Sequence, residues 1–175
     1  MYNLPFLILM FGIGSIPFGR IWSRILGNHN IREHGSGNIG TSNAWRVNGM
    51  LVGLLTAVCD VGKGFTCFFM LDNMMLFGAW VVLGHMYAPW SGGKGVAPFF
   101  GVCLAVFHLY ALIPMLIWGL LVCIKTKPTN ASYIALLIMT IIASFYESQI
   151  FMLTILLSVS IVHKHLIANL IKRDI

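Results

Sequence analysis

Two short polar segments rich in glycine interrupt an otherwise apolar chain. The first is Gly35-Ser-Gly-Asn-Ile-Gly-Thr-Ser-Asn-Ala-Trp-Arg46, and the second is Ser91-Gly-Gly-Lys-Gly95. Glycine lets neighbouring main-chain N–H groups converge on one point, and a nearby arginine or lysine adds a full positive charge. These two segments are therefore suited to hold phosphate groups.

Arg46 and Lys94 offer two different contacts to such an anion. A guanidinium makes a forked, bidentate contact with phosphate, whereas an ammonium acts as a compact point charge. Neutral donors stand beside Arg46 within the first segment: Ser36, Asn38, Thr41, Ser42 and Asn43. The set suits a dianionic substrate, although the first segment taken alone is also compatible with a flexible surface loop.

Both segments superficially match nucleotide-binding motifs. Gly35-Ser-Gly-Asn-Ile-Gly40 has the G-x-G-x-x-G spacing, but the preceding Asn30-Ile-Arg-Glu-His34 is not an apolar strand. Gly92-Gly-Lys-Gly95 lacks the hydroxyl residue after lysine that reaches magnesium in a P-loop. We therefore expect neither a dinucleotide fold nor ATP hydrolysis.

Ionisable residues within apolar runs are the next candidates. Asp60 and Lys63 lie at i, i+3 on one helical face, where they form either a structural ion pair or part of the site. His85 precedes the second segment and is expected to anchor it. His163 and His165 point to opposite sides of a helix, so they cannot share a metal ion and at most one of them faces the site. We expect no metal.

Composition indicates an integral membrane protein. The 175 residues are 58% hydrophobic and only 9% charged, against roughly 25% charged residues in soluble domains. The formal charge of +6 is not concentrated on a soluble module, which argues against a nucleic-acid partner. The cysteines show no C-x-x-C pair, which argues against zinc or redox chemistry. We expect one domain over residues 1–175.

Apolar runs predict an all-α fold with seven transmembrane helices. They lie near residues 4–25, 50–70, 73–88, 95–109, 110–124, 132–146 and 149–166. The first run is broken by Gly14-Ser-Ile-Pro-Phe-Gly19, so we expect a kink whose freed backbone groups are satisfied by neighbouring helices or a polar cavity. Residues 26–49 are predicted to be a functional loop without secondary structure of its own.

Charge predicts the orientation in the membrane. Cations occupy alternate connections: Arg20, Arg24, Arg32 and Arg46, then Lys94, then Lys125 and Lys127, and finally Lys164, Lys172 and Arg173. The intervening connections hold Asp72 and Glu147. By the positive-inside rule the N-terminus lies outside and the C-terminus in the cytoplasm. Both glycine-rich segments then form phosphate-binding loops on the cytoplasmic side.

Seven segments in order resemble the bacterial membrane acyl-phosphate:glycerol-3-phosphate acyltransferases. They are Gly14–Gly19, residues 31–43 followed by Arg46, Asp60-Val-Gly-Lys-Gly64, Gly84-His85, Gly92-Gly-Lys-Gly-Val-Ala97, Ala131-Ser132 and His163-Lys164. The matches span nearly the whole chain, and the long first motif together with G-G-K-G-V-A is highly specific.

The resemblance implies a seven-span enzyme of the bacterial cytoplasmic (inner) membrane. It would move a fatty acyl group from acyl phosphate to the 1-hydroxyl of glycerol 3-phosphate, giving lysophosphatidic acid and phosphate, the first step of phospholipid synthesis. No cofactor or obligate protein partner is implied; the partners are the two substrates and membrane lipid.

The resemblance also assigns site residues by position. The catalytic set is Ser36, Arg46, Lys94 and His163. The substrate-binding set is Gly35, Gly37, Asn38, Gly40, Thr41, Asn43, Gly92, Gly93 and Ser132, and the structural support is Asp60, Lys63 and His85. His163 or an oxygen of the donor phosphate would accept the proton of the attacking hydroxyl, and no covalent acyl-enzyme is required.

Some positions depart from the family pattern. Leu166 stands where the family tail has an asparagine, for which Asn169 could substitute. Pro98 replaces a threonine, and the stretch from His85 to Lys94 is shorter than usual. Two alternatives therefore remain beside the enzyme: a carrier for phosphate or an organophosphate, and a catalytically degenerate member. The carrier is disfavoured because no inverted repeat is evident.

Overall fold

In a computed structural model, which describes residues 4–70 and 72–170, the chain is all-α as predicted. The α-helices of the described residues are α1 (Leu4–Ser15), α2 (Phe18–Ile25), α3 (Thr41–Asn48), α4 (Met50–Phe65), α5 (Met74–Tyr87), α6 (Val96–Phe107), α7 (Leu112–Cys123), α8 (Pro128–Ala143) and α9 (Ser148–Leu170). Short 3₁₀ turns, Thr66–Phe69 and His108–Ala111, extend α4 and join α6 to α7.

The predicted break in the first apolar run is confirmed. α1 ends at Ser15 and α2 begins at Phe18, because Pro17 has no N–H to continue the helical ladder. The freed carbonyls are satisfied by other parts of the chain: the Lys63 ammonium donates to Ile16 O at 2.9 Å, and the Trp90 indole donates to Ser15 O at 3.1 Å. The break is thereby tied to α4 and to the second glycine-rich segment.

The long polar connection is not the unstructured loop that we predicted. Residues 41–48 form α3, which begins after the extended Gly40 and ends at Gly49 with φ of 88°. A small apolar core of Ile31, Ile39, Ala44 and Val52 holds this region against α4, and all four side chains are at most 1% exposed. The connection folds because scattered apolar residues meet in space.

Two close helix pairs define the centre of the bundle. α1 packs along α5, and α4 packs along α6. In the second pair, a Cβ added at Gly64 would overlap the Pro98 carbonyl, and one at Gly101 would overlap the Val61 carbonyl. Small residues at helix interfaces allow backbones to approach closely, which is how helices associate in lipid.

The main core lies between α1, α5, α6, α8 and α9. Its buried side chains include Met10, Val82, Phe99, Met139 and Ile161. α5 contacts α6 and α9, and α8 contacts α7 and α9. This core fixes the relative positions of the glycine-rich segments, which attach at the ends of α2, α3, α5 and α6.

Within residues 4–70 and 72–170, four helical stretches are long and apolar enough to cross a membrane: Leu4–Ile25, Met50–Phe69, Val96–Cys123 and Ser148–Leu170. Met74–Tyr87 and Pro128–Ala143 are shorter apolar helices. The fourth and fifth predicted spans correspond to α6 and α7, of 12 residues each, or about 18 Å at 1.5 Å per residue. The seven-span count stays a prediction, and Lys172 and Arg173 of the charge argument lie outside the described residues.

Candidate active site

A cavity of about 1120 Å³ opens between the two glycine-rich segments and the surrounding helices. Its polar walls come from residues 32–46, from residues 92–95 and from the facing sides of α8 and α9. Its apolar wall comes from α6 and α7. One space therefore offers both charged and hydrocarbon-like surfaces.

Most of the residues singled out from the sequence line this cavity. They are Ser36, Gly37, Asn38, Gly40, Thr41, Asn43, Arg46, Asp60, His85, Gly92, Lys94 and Ser132. The structure thus brings Arg46 and Lys94, which are far apart in sequence, to the same cavity. Gly35, Gly93, Lys63 and His163 do not line it.

Asn43 organises the first segment. Its side chain is 3% exposed, accepts a hydrogen bond from Ser36 N at 2.8 Å, and donates to Ile31 O, His34 O and Asn38 O. These bonds use the donors and the acceptor of the Asn43 side-chain amide, so the amide shapes the segment and has little capacity left to bind a ligand. Gly35 is the first residue of this segment, and a Cβ added there would collide with the side-chain oxygen of Asn43.

His85 organises the second segment through its carbonyl. That oxygen accepts from Gly93 N at 3.0 Å and from Ser91 Oγ at 2.9 Å. Gly93 packs directly against the His85 ring, so a side chain there would collide with the imidazole. Gly92 and Gly95 have φ of 78° and 88°, a left-handed backbone that favours glycine. Lys94 is held between these two turns.

Lys63 lies at the centre of a buried polar cluster. Its ammonium is 2.8 Å from Asp60 Oδ1, 2.8 Å from His85 Nδ1 and 2.9 Å from Ile16 O. Because a lysine ammonium only donates, His85 Nδ1 accepts and the neutral ring carries its proton on Nε2. Asp60 and His85 line the cavity wall, while Lys63 joins them to the break in the first span.

Arg32 joins the two segments, a role that its place in the charge pattern and in the matched motif did not predict. Its Nη2 donates to Trp90 O at 3.0 Å and also to Ser91 O. Arg32 lines the cavity as well. Its partners stand 58 and 59 residues away, so no local spacing could have revealed this contact.

The last helix presents His165, and not His163, to the cavity. His165 is 3% exposed and its Nδ1 lies 3.3 Å from Thr129 Oγ1 of α8, whereas His163 is exposed. The catalytic part that the resemblance gave to His163 therefore has no support in this geometry. His165 and Asn169 stand at i, i+4 and line the same wall, a spacing that the sequence does contain.

Apart from Asp60 Oδ1, which is paired with the Lys63 ammonium, two buried polar atoms on this lining lack a hydrogen-bond partner within the described residues. They are Thr41 Oγ1 on the first segment and His165 Nε2 on α9. Leaving such a group unpaired costs about 1–3 kcal/mol, and unsatisfied buried groups in native proteins call for an explanation. A polar ligand in the cavity supplies one.

Ser132 is held in place and is not activated. Its Oγ donates to Pro128 O at 2.7 Å and accepts from the Trp118 indole at 3.1 Å. Neither partner is a base that could remove the hydroxyl proton, as nucleophilic catalysis by serine requires. Ser132 can therefore contribute to binding without forming a covalent intermediate.

The apolar wall consists of Val96, Ala97, Phe100, Met115, Trp118 and Gly119. A Cβ added at Gly119 would meet no atom of the described residues within 4 Å, so there is open space beside this glycine. Such a wall can accommodate an alkyl chain.

Comparisons of the sequence with known proteins agree on one protein family. Residues 4–173 match the protein family described as glycerol-3-phosphate acyltransferase. A glycerol-3-phosphate acyltransferase of Ehrlichia ruminantium (strain Gardel) is 36% identical, covering 91% of this chain and 88% of the relative. Glycerol-3-phosphate acyltransferase 2 of Bacillus anthracis is 33% identical, with 93% and 91% covered.

Solved structures agree with these sequence matches. The crystal structure of PlsY, an integral membrane glycerol 3-phosphate acyltransferase, in its glycerol 3-phosphate form superposes with a TM-score of 0.85 at 29% identity, covering 93% of this chain and 87% of that chain. Its lysophosphatidic acid form gives a TM-score of 0.82 at 30% identity over the same shares.

Proposed function

Because the chain belongs to the glycerol-3-phosphate acyltransferase family, we propose that its large cavity transfers a fatty acyl group from acyl phosphate to the 1-hydroxyl of glycerol 3-phosphate. The chain is an acyltransferase and a membrane protein. The identity of the donor and the roles of individual residues are our proposal. The products would be lysophosphatidic acid and inorganic phosphate.

The observation that carries this proposal is the joint lining of one cavity by cations and by an apolar wall. Arg46 and Lys94 face the same space as Phe100, Met115 and Trp118. Both substrates carry phosphate, and the donor also carries an alkyl chain. A lipid phosphate therefore fits with its headgroup at the glycine-rich segments and its chain between α6 and α7.

Acyl phosphate is already activated, so the protein has mainly to position the reactants. Positioning can lower a barrier by about 7–11 kcal/mol. Arg46, Lys94 and the main-chain N–H groups of the glycine-rich segments bind the phosphates and stabilise the oxyanion on the acyl carbonyl, as preorganised donors do. Ser36 and Thr41 add neutral contacts on the same side of the cavity.

The acyl group passes from the donor to the acceptor without a covalent bond to the protein. The acceptor oxygen bonds to the acyl carbon, the bond from that carbon to the phosphate oxygen breaks, and the hydroxyl proton passes to the departing phosphate. His165 orients the acceptor hydroxyl through Nε2, which has no hydrogen-bond partner in the described part of the chain. The hydrogen bonds of Ser132, to the Trp118 indole and the Pro128 carbonyl, agree with a route without an acyl-enzyme.

We propose that the protein lies in the bacterial inner membrane with seven spans. The N-terminus is outside, and the C-terminus and the cavity are cytoplasmic. The alternation of cationic and anionic connections supports this orientation. Placing the cavity in the cytoplasm gives it access to water-soluble glycerol 3-phosphate. Residues 1–175 act as a single domain without an obligate protein partner.

A phosphate-release assay tests the function. Purified protein in detergent is given palmitoyl phosphate with and without glycerol 3-phosphate, and phosphate and lysophosphatidic acid are measured together. We expect one phosphate per ester formed and release that depends on the acceptor. Lys94→Ala should lose most of this activity. Equal release without glycerol 3-phosphate, or ester formation only from acyl-CoA, would contradict the proposed reaction.

A further inference from the structure

A second, smaller cavity lies at the C-terminal end of α2. Its volume is about 260 Å³, and it is lined by Arg20, Ser23, Arg24, Gly27 and the segment 28–31. Among the described residues, none lines both this cavity and the large one. Ile31 faces the small cavity and the next residue, Arg32, faces the large one, so the chain here forms a wall between two separate spaces.

The small cavity carries uncompensated positive charge. Arg20 and Arg24 stand at i, i+4 on one helical face, a like-charge spacing that destabilises a helix by about 0.2–0.5 kcal/mol. Within the described part of the chain, neither forms an ion pair, and no acidic residue lines the cavity. The helix dipole accounts for a cation in the last turn, at Arg24, but not for the second cation a turn earlier.

Ser23 adds an unused hydroxyl between the two arginines. It is 4% exposed, and its Oγ has no hydrogen-bond partner among the described residues. A helical serine commonly bonds the carbonyl four residues earlier, and Ser23 does not. Ser23 lines the small cavity, so two cations and an unpaired donor converge there.

The opposite wall of the small cavity is fixed by hydrogen bonds. The Asn48 side chain accepts from His29 N and donates to His29 O, both at 3.0 Å. His34 Nδ1 lies 3.0 Å from Asn30 O. These contacts within the protein hold the segment 28–31 in place.

We propose that the small cavity binds the phosphate monoester headgroup of a membrane lipid. Two guanidinium groups match the charge of about −1.5 to −2 that a phosphate monoester carries near neutral pH, and Ser23 Oγ can donate to a third oxygen. Ile25 and Leu26 beside it are 64% and 46% exposed, which gives an alkyl chain an apolar surface. A phosphodiester, with one charge, is a poorer match.

Native mass spectrometry in neutral detergent tests this site by counting bound lysophosphatidic acid molecules. We expect the double variant Arg20→Gln/Arg24→Gln to bind one molecule fewer than the wild type. Lys125→Gln, which removes an exposed cation lining neither cavity, should bind as many as the wild type. Ser23→Ala retains both charges and should weaken the same binding event several-fold. The readout is the difference between wild type and variant in the number of bound lysophosphatidic acid molecules, so the result does not depend on acyl transfer.

Two further arms define the ligand. If excess glycerol 3-phosphate displaces the variant-sensitive lipid, the headgroup alone suffices and a soluble monoester can also occupy the site; if it does not, the alkyl chain is required. The proposal is overturned if the double variant binds as many lipids as the wild type, or if phosphatidylglycerol, a phosphodiester, binds there as well as lysophosphatidic acid.

Discussion

Individual side chains of the large cavity divide into those that hold the site and those left available to a ligand. Asn43 and Ser132 use their polar atoms within the protein, whereas Thr41 Oγ1 and His165 Nε2 have no partner among the described residues. Arg46 and Lys94 supply the charge on opposite segments. Substitutions should therefore separate into effects on stability and effects on turnover.

Replacing His165 should impair catalysis, and replacing His163 should not. In His165→Ala the acceptor hydroxyl is left without its hydrogen-bond partner, which costs about 1–3 kcal/mol. We therefore expect this variant to lower kcat/KM for glycerol 3-phosphate by roughly 5- to 150-fold. His163→Ala, on the exposed side of the same helix, is the matched control and should keep near-normal turnover. Steady-state kinetics at varied glycerol 3-phosphate measures both. A larger loss for His163→Ala would contradict the placement of the site.

Removing the Lys63 ammonium should destabilise the protein. Lys63→Met leaves the Asp60 carboxylate buried without its cation and frees Ile16 O at the helix break. Breaking a buried ion pair from one side typically costs about 3–5 kcal/mol. We expect a clearly lower thermal unfolding midpoint in detergent.

The double variant Asp60→Asn/Lys63→Met serves as the control for buried charge. It removes the buried carboxylate that Lys63→Met leaves unpaired, so its thermal unfolding midpoint should lie between those of Lys63→Met and the wild type. Wild-type stability of Lys63→Met alone would show that the cluster is not a structural support.

Among the elements, the helices followed from the sequence far better than the connections did. Pro17 removes a donor within an apolar run, so the break could be placed without any knowledge of tertiary contacts. The contacts that create α3 come from Ile31 and Ile39, isolated apolar residues in a polar stretch that show no periodicity. Choosing His165 over His163 requires knowing which face of α9 meets α8, and that depends on packing.

The contact between α4 and α6 depends on Gly64. Gly64→Ala would place a methyl group against the Pro98 carbonyl, so we expect a lower thermal midpoint because the helices must separate. Gly62→Ala lies on the same helix, where a Cβ meets no atom within 4 Å. It should leave the midpoint unchanged or raise it, since alanine is favoured over glycine in helices by up to about 1 kcal/mol. Thermal unfolding of the two variants side by side checks this. Equal effects would argue against close packing at Gly64.

At the scale of the whole molecule, the bundle combines a polar, cationic lining and an apolar lining in one cavity. The glycine-rich segments could be recognised from the sequence alone, because the pattern from which we infer phosphate binding is local. The apolar wall could not, because Phe100, Met115 and Gly119 resemble any other apolar residues of a membrane helix until α6 and α7 are arranged in space.

Filling the space beside Gly119 should change the preferred donor. Gly119→Leu places a branched side chain where the cavity is open, so we expect activity with palmitoyl phosphate to fall relative to a donor with a shorter chain. Gly12→Leu introduces the same side chain at an exposed glycine outside the cavity and is the control. Competition between donors of two lengths measures the ratio. An unchanged ratio in Gly119→Leu would place the alkyl chain elsewhere.

The shared lining of the cavity has a kinetic consequence. If one reactant is held by its hydrocarbon tail and the other comes from solution, turnover depends on two different concentrations: the mole fraction of the donor in the bilayer or micelle, and the molarity of the acceptor in water. Adding inert detergent while keeping both bulk concentrations constant should then slow the enzyme, because the detergent lowers the mole fraction of the donor in the micelle where the enzyme encounters it.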